Sequence, residues 1–587
     1  MKKVLLTALA LGAAHSPAIG QTVEPAAEVP WDSSGRLYLF GDSRTDSGSG
    51  GGLTGNGQPQ NYFNGRRSNG PLWWEYAYPN KTLAVDVFMN NLVGSTTDGI
   101  NFAMGGNTVL PGPFKTLADQ ANTYRGLVSS NVISAPSSSD TFSIFMGQGG
   151  DNTLALAEIK RNVNNLVTLG AKRFIIIGTS SIASAPDGGV VGAEYNTGLK
   201  AMARDLISGG ATVMYIDAGF FPVIEDILAN SSLYGVQGLT RFCRPTYTTA
   251  NCPSDYFWWD TGHFTTNVNK IFGAYVSATA TNINYTAGTY AQILNTTYQV
   301  HRDTVDLLSS NALSQTGSDF SIYGFTRYNS GHADAQSRSS RANYSGYSMG
   351  IGAYVPLSDQ LSIGLSGSYY DGDAGVAGPV GGSGKSEAYD GAANLTWRSG
   401  GTYAMVMGGA GRHKLNLTRK TSFEWRPTVQ SSPSVDTAFA SFEAGSKVEF
   451  GGVTLTPFGR IDFTNFKMDR IQESGVFFAS DVSETSLESW QISGGFKADV
   501  PLSDNFNLGV TGSVARELSG DTRVSALIDT FNYSHANLDM GRGVEARGAV
   551  NLSGQIWKSV SARLEVGGRT GKLASDGYVQ AGVTVPF

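Results

Sequence analysis

The sequence predicts an α/β domain built on a parallel sheet, followed by a 12-stranded transmembrane β-barrel. Three observations predict it. An export segment opens the chain, short apolar strands alternate with helical patterns from about residue 31 to about 285, and the hydrophobic period becomes two from about 317 onward. The length of 587 residues agrees, because it exceeds what one hydrophobic core organises.

The export segment has a charged start at Lys2 and Lys3, an apolar stretch from Val4 to Ala14, and a small-x-small cleavage site, Ala18-Ile19-Gly20, before Gln21. The apolar stretch is shorter than the ~20 residues that span a bilayer. A removable signal is expected at 1–20, and an exported mature chain after it. No later segment forms an unbroken apolar run of spanning length.

In the α/β half, Leu37 to Phe40, Phe142 to Met146, Phe174 to Ile177 and Val213 to Ile216 are apolar throughout, as strands buried on both faces are. Between them, Ile159, Val163, Leu166 and Val167 share a helix face ended by Gly170. Leu199, Met202, Leu206 and Ile207 repeat the pattern, ended by Gly209-Gly210. Strands alternating with helices point to a parallel sheet covered on both sides.

The second half alternates. Ala438, Ala440, Phe442 and Ala444 interleave with small or charged residues, as do Leu361, Ile363, Leu365, Gly367 and Tyr369 with serines and Gly364. Val453, Leu455, Ile461 and Phe463 continue it, and Val579, Ala581, Val583, Val585 and Phe587 close the chain on it. About twelve segments of about ten residues follow one another, separated by Gly, Ser and Asp turns. A soluble sandwich also alternates, but an even number of such strands after an export signal is the pattern of an outer-membrane barrel. Between the halves, Tyr290, Leu294, Tyr298, His301, Val305 and Leu308 recur at helical spacing among polar residues. That stripe suits a helix in a hydrated barrel; a linker helix lying on the first domain is the alternative.

Composition excludes other classes. Charged residues are 15%, against about 25% in an average domain, and glycine numbers 74. The net charge of −6 supplies no basic face for nucleic acid. The two cysteines, Cys243 and Cys252, read as one small disulfide loop in an oxidising compartment, with a free-thiol pair as the alternative. Neither has a second Cys or His at zinc spacing, so no metal is assigned, and no cofactor is implied.

The chemistry centres on Ser43. Phe40-Gly41-Asp42-Ser43 ends the first strand, where open parallel sheets build their sites. The Gly-x-Ser-x-Gly elbow is not met here; Gly178-Thr179-Ser180-Ser181-Ile182 lacks its second glycine. Of six histidines, His15 lies in the signal, and His301, His332, His413 and His535 in the helix and barrel. His263 is the one left to serve as base to a serine nucleophile in the α/β half. Asp260, three residues before it, is spaced to accept from its Nδ1–H.

Gly41-Asp42-Ser43-Arg44-Thr45-Asp46-Ser47-Gly48 resembles the first block of the GDSL, or SGNH, hydrolases, whose parallel sheet is flavodoxin-like. Asn69-Gly70-Pro71-Leu72-Trp73-Trp74-Glu75 is similar to the segment that follows it in membrane-anchored members, Gly99 to Gly106 to their second block, and Phe257 to His263 to the closing Asp-x-x-His block. The second half resembles an autotransporter translocator ending in phenylalanine. The resemblance implies an esterase or lipase displayed on the outer membrane by a type V secretion barrel, acting through an acyl-enzyme on carboxylic esters. It implies Ser43 as nucleophile and oxyanion donor, His263 as base and then acid, Asp260 as its orienting partner, and Gly106 as a second oxyanion donor, with Gly105 the alternative by one residue of register. It divides the chain into a signal at 1–20, a hydrolase passenger at 21–285, a linker helix at 286–316 and a barrel at 317–587. The implied partners are an ester or lipid substrate, outer-membrane lipids and the barrel assembly machinery, with the chain a monomer that binds no nucleic acid.

Two departures stand out. Arg44 replaces the leucine of the family name, with packing under the site its expected effect. In Gly147-Gln148-Gly149-Gly150-Asp151-Asn152, Asp151 aligns with the family's oxyanion asparagine, and an ionised carboxylate repels an oxyanion. Either a one-residue shift brings Asn152 to the hole, which the glycines favour, or the enzyme is weakened and serves as an adhesin or assembly protein. No self-cleavage signal is legible around residues 290 to 312, so an intact chain is expected.

Overall fold

The computed structural model describes residues 31 and 34–587, apart from 50–61, 88–90, 113–114, 148, 180–192, 337, 541–542 and 558. The predicted signal, Gln148, most of the loop from Gly50 to Arg67 and the serine of Gly178-Thr179-Ser180 lie outside the described residues.

The first domain is a sheet of seven strands: β1 (Leu37–Gly41), β2 (Ala84–Val87), β3 (Asn91–Val93), β4 (Gly99–Asn101), β5 (Thr141–Phe145), β6 (Arg173–Ile177) and β7 (Thr212–Ile216). Their order is β3-β2-β4-β1-β5-β6-β7, parallel except for the edge strand β3. From β4 to β7 this is the doubly wound 2-1-3-4-5 arrangement, whose order reverses beside β1. β1, β5 and β6 are buried at every position, which is why they read as unbroken apolar runs. Helices α1 (Trp73–Ala77), α2 (Leu117–Ser129), α3 (Asn152–Thr168), α4 (Ala193–Ser208) and α5 (Phe221–Ala229) cover the two faces. The core divides accordingly. Tyr38, Phe40, Phe142 and Phe174 pack with α2, α3 and α4 on one side. Leu37, Leu39, Ile175 and Met214 pack with α1, α5 and the start of α6 (Thr266–Ser314) on the other.

The second domain is a closed barrel. Twelve antiparallel strands run in sequence from Ser321–Ala333 to Ala574–Pro586, and pairing of the last with the first closes the ring. Period-two sequence becomes period-two burial: in the sixth strand, Ser434–Ser446, Val435, Thr437, Phe439 and Ser441 point inward while Ala438, Ala440 and Phe442 point outward. The outward set leaves large apolar side chains exposed, among them Leu365, Trp397, Phe442 and Val566, as a lipid-facing band requires. No described helix is long and apolar enough to cross a membrane; here strands do the crossing.

Helix α6 is 49 residues long and joins the domains without a break. It begins against α1, then enters the barrel, where it is buried almost throughout despite its polar sequence. Charge pairing explains this: Arg302 binds Glu545, Asp306 binds Arg460 and Arg547, and Asp303 binds Arg569. The interior is an ionic lattice in which these arginines are met by carboxylates, while Arg327 is held by Gln580 and the Asp303 carbonyl, the pairing that buried charge requires.

Outside the barrel, a four-stranded sheet formed by Ile471–Gln472, Ser480–Val482, Asp521–Ile528 and Asn532–Asp539 clasps the first domain. The Asn532 amide bridges both main-chain groups of Tyr215 on β7, at 3.0 Å each, and Phe531 packs on its ring. Arg426 forms a forked pair with Asp226 on α5 at 2.7 and 2.9 Å.

Candidate active site

Ser43 lies in the turn after β1, between the ends of β4 and β5, where the strand order reverses. Glycine is required at 41: a Cβ there meets the Phe145 carbonyl oxygen at 2.7 Å. Asp42 fastens this turn to the end of β5, accepting from the backbone N–H of Gly147 at 3.2 Å and of Arg44 at 3.0 Å. The Arg44 side chain pairs with the same carboxylate at 2.9 Å and lies over the Phe145 ring. Burial raises the carboxyl's pKa, but Arg44 and the two N–H groups outweigh it, so Asp42 is held below the ordinary range. Arg44 therefore sits under the site as a packing and pairing residue.

The partner residues arrive from the far end of the sequence. β8 (Gly238–Phe242) and β9 (Tyr256–Trp258) form a short pair, stapled beside Cys243–Cys252, which are joined. After β9 the chain turns so tightly that the Trp259 N–H donates to the His263 carbonyl at 2.8 Å. This places His263 Nε2 2.7 Å from Ser43 Oγ and His263 Nδ1 2.6 Å from Asp260 Oδ1. Asp260 also accepts from the Gly262 N–H at 3.0 Å and the Tyr62 hydroxyl at 2.8 Å. Burial opposes its charge, yet the His263 contact, followed by these donors, brings its pKa down to about 2. Asp260 is thus an anion throughout the neutral range, aimed at the imidazole. The three residues form one hydrogen-bonded chain from carboxylate to hydroxyl.

The backbone around Ser43 offers open donors. Among the described residues the N–H groups of Ser43 and Gly106 have no partner, and Gly106 holds φ at +86°, a left-handed conformation that glycine adopts without strain. Gly105 differs. Its N–H donates to Asp46 Oδ2 at 2.8 Å, and a Cβ there would sit 2.6 Å from Arg67 Nε. The Gly105 N–H is thus already engaged, whereas that of Gly106 is open. Asp151 is the N-cap of α3, exposed, its carboxylate accepting from the Leu154 N–H at 2.9 Å. Asn152 opens the helix, half-buried, with no hydrogen bond to its amide among the described residues. Neither contacts Ser43, Gly106 or His263 by a hydrogen bond.

Residue 37–276 matches the family model for GDSL-like lipase/acylhydrolases, and 322–567 the model for the autotransporter beta-domain. The chain is a GDSL hydrolase carried by an autotransporter barrel. It is accordingly an outer-membrane protein whose hydrolase passenger is exported outward. No curated protein matches it. Similar solved structures include the translocator domain of the autotransporter NalP from Neisseria meningitidis, at 15% identity over 51% of this chain and 99% of that one, with a TM-score of 0.44. The beta domain of the Bordetella autotransporter BrkA matches at 14% identity over 46% of this chain and 100% of that one, TM-score 0.33. The transport unit of AIDA-I from Escherichia coli matches at 10%, over 47% and 92%, TM-score 0.32. The barrel is defined by its own strand pairing and by the family match.

Three residues of this GDSL site escape a reading of the sequence. Tyr62 reaches Asp260 across 198 positions, and nothing local marks it. Arg67 stands against Gly105 and lines a narrow pocket with Arg44, Trp73, Phe145 and His263. Asn107, next to Gly106, is 2% exposed, with neither its amide nitrogen nor its oxygen partnered.

Proposed function

We propose that the passenger is a cell-surface serine esterase that hydrolyses carboxylic esters through an acyl-enzyme. The observation carrying this reading is the 2.7 and 2.6 Å chain Ser43–His263–Asp260 at the reversal point of the sheet. Ser43 Oγ attacks the ester carbonyl as its proton passes to His263 Nε2, and Asp260 stabilises the imidazolium through Nδ1–H. The N–H groups of Ser43 and Gly106 receive the oxyanion. His263 then protonates the leaving alcohol, and a water, deprotonated by the same nitrogen, releases the acid. The substrate is a lipid or short-chain acyl ester presented outside the cell. The barrel is inserted by the outer-membrane assembly machinery, and the chain acts as an intact monomer with its passenger held by the Asn532 and Arg426 contacts.

The test is hydrolysis of p-nitrophenyl butyrate by intact cells, beside a Ser43→Ala strain with equal barrel insertion. Serine-dependent turnover outside the cell is expected. Equal rates in both strains refute the esterase, and a Ser43-independent loss of cell adhesion on deleting the passenger then favours the adhesin.

The third oxyanion donor in this reading is Asn152. Asp151 spends its carboxylate on the helix cap, so the one-residue shift leaves Asn152 as the open amide of this block. Asp151→Asn, which also caps well, is expected to change kcat less than about threefold, and Asn152→Ala to lower it ~10²-fold or more. A hundredfold gain in Asp151→Asn puts Asp151 in the hole instead, and a loss confined to Asn107→Ala transfers the role to that buried amide.

A further inference from the structure

Midway along α6, inside the barrel, three buried side chains from three elements meet. His301 stands on the helix, Asp390 on the fourth barrel strand (Gly382–Ser399) and His413 on the fifth (Thr402–Lys420). Their exposures are 0%, 5% and 0%. One possible ligand atom of each lies within 4.8 Å of those of the other two. His301 Nδ1 pairs with Asp390 Oδ1 at 3.2 Å without the alignment of a hydrogen bond, and the other three imidazole nitrogens of the two histidines are buried with no hydrogen-bond partner. Buried polar atoms are ordinarily paired, and here the orphans converge on one point.

The wall is shaped around them. In the strand register Asp390 faces Gly411 and His413 faces Ala388, so the two ligand-type residues are inward-facing diagonal neighbours. A Cβ at Gly411 would lie 2.1 Å from Asp390 Oδ1, so glycine makes room for this carboxylate. Thr437, opposite Gly411 on the sixth strand, brings another buried oxygen to Asp390. The rings of Phe439 and Phe466 lie 5.4 and 5.1 Å from the His301 ring, enclosing the cluster on an apolar side.

We propose that His301, Asp390 and His413 bind a divalent transition-metal ion, zinc in the cell, which clips the helix to the barrel wall. A tetrahedral zinc ion takes imidazole nitrogen and carboxylate oxygen at about 2.0–2.2 Å, which sets its ligand atoms about 3.3 Å apart. The 3.2 Å approach already has that spacing, and the third ligand closes on it by side-chain rotation. Two nitrogens and one oxygen, with no thiolate, suit zinc and not calcium or magnesium, which take oxygen alone. Three protein ligands leave the fourth tetrahedral position for water. The residues are 89 and 23 positions apart in sequence, which is why no ligand spacing announces them.

The experiment uses the full chain without a histidine tag, extracted in detergent from outer membranes of zinc-replete cells and washed with chelator. About one zinc ion per chain is expected by mass spectrometry. His413→Gln and Asp390→Asn are expected to lower the content at least tenfold, while His535→Ala, in the sheet outside the barrel, leaves it unchanged. Heat-modifiable migration identifies the folded barrel in each preparation, and metal is counted in that fraction. Cells grown on cobalt in place of zinc are expected to yield the visible absorption of four-coordinate cobalt in the wild type alone. A wild-type barrel holding no more metal than folded His413→Gln, or than folded Asp390→Asn if the former does not insert, overturns the proposal and leaves an ion-free His–Asp–His cluster.

Discussion

Ser43→Ala, His263→Ala and the double variant are expected to fall to one common floor, about 10⁴- to 10⁶-fold below the parent in kcat. The reason is the 2.7 Å contact: the hydroxyl is a useful nucleophile only while the imidazole takes its proton, and the imidazole has no other task once the hydroxyl is gone. Groups acting as one unit cannot be removed twice. Independent contributions would instead multiply, so a double variant falling by the product of the two single losses would break the unit apart. Steady-state hydrolysis of p-nitrophenyl butyrate by the purified proteins measures this directly. The floor itself reports what remains, namely substrate binding and the open N–H groups of Ser43 and Gly106.

The residues that meet in the Ser43–His263–Asp260 chain were legible because they obey local rules. Ser43 follows an all-apolar strand, and Asp260 and His263 lie three residues apart in a turn that folds them onto one side. The elimination of five other histidines did the rest. Other features were not legible, for physical reasons. β2 and β4 are four and three residues long, and buried Asp86 and Asn101 interrupt their apolar pattern. Asn101 is inside because its amide binds the Thr45 carbonyl and Ser47 at 2.8 Å, holding the loop after Ser43. That is tertiary information, which the strand's own sequence lacks.

Helix α6 shows the same limit. Its pattern from Tyr290 to Leu308 was plain, yet the helix starts at Thr266, inside what the sequence assigns to the hydrolase. Gly273 and Gly288 look locally like interruptions. In the fold they are close approaches: a Cβ would meet the Trp73 carbonyl oxygen at 2.5 Å and the Arg338 carbonyl oxygen at 1.7 Å. The glycines let α1 and a barrel loop pack against the helix, and the buried ion pairs offset its polarity. The barrel, by contrast, was legible in its strand number, because lipid outside and charged lumen inside impose the same alternation on all twelve, although the strands are 12 to 19 residues long and not about ten.

Asp260→Asn is expected to lower kcat about 10⁴-fold while leaving KM and the fold nearly unchanged. The asparagine keeps the shape, but its amide can present N–H to Nδ1 and so favour the tautomer whose Nε2 carries the proton, which cannot accept from Ser43. It also removes the anion that stabilises the imidazolium. Tyr62→Phe makes a graded comparison: it deletes one donor to Oδ2, leaves the Gly262 N–H and His263 in place, and is expected to cost less than tenfold. The pH dependence follows with its sign. With a folded pKa of about 2, below the ordinary carboxylate value, Asp260 contributes stability that is fully present above about pH 4 and is lost as pH falls through about 2. Activity lost on acidification at any higher pH therefore does not come from this carboxylate, and Asp260→Asn is expected to retain the parent's unfolding midpoint at pH 2 more closely than at pH 7. Equal destabilisation at both pH values would mean that folding leaves the carboxyl's pKa unshifted, and the His263 contact would then not be what holds it as an anion.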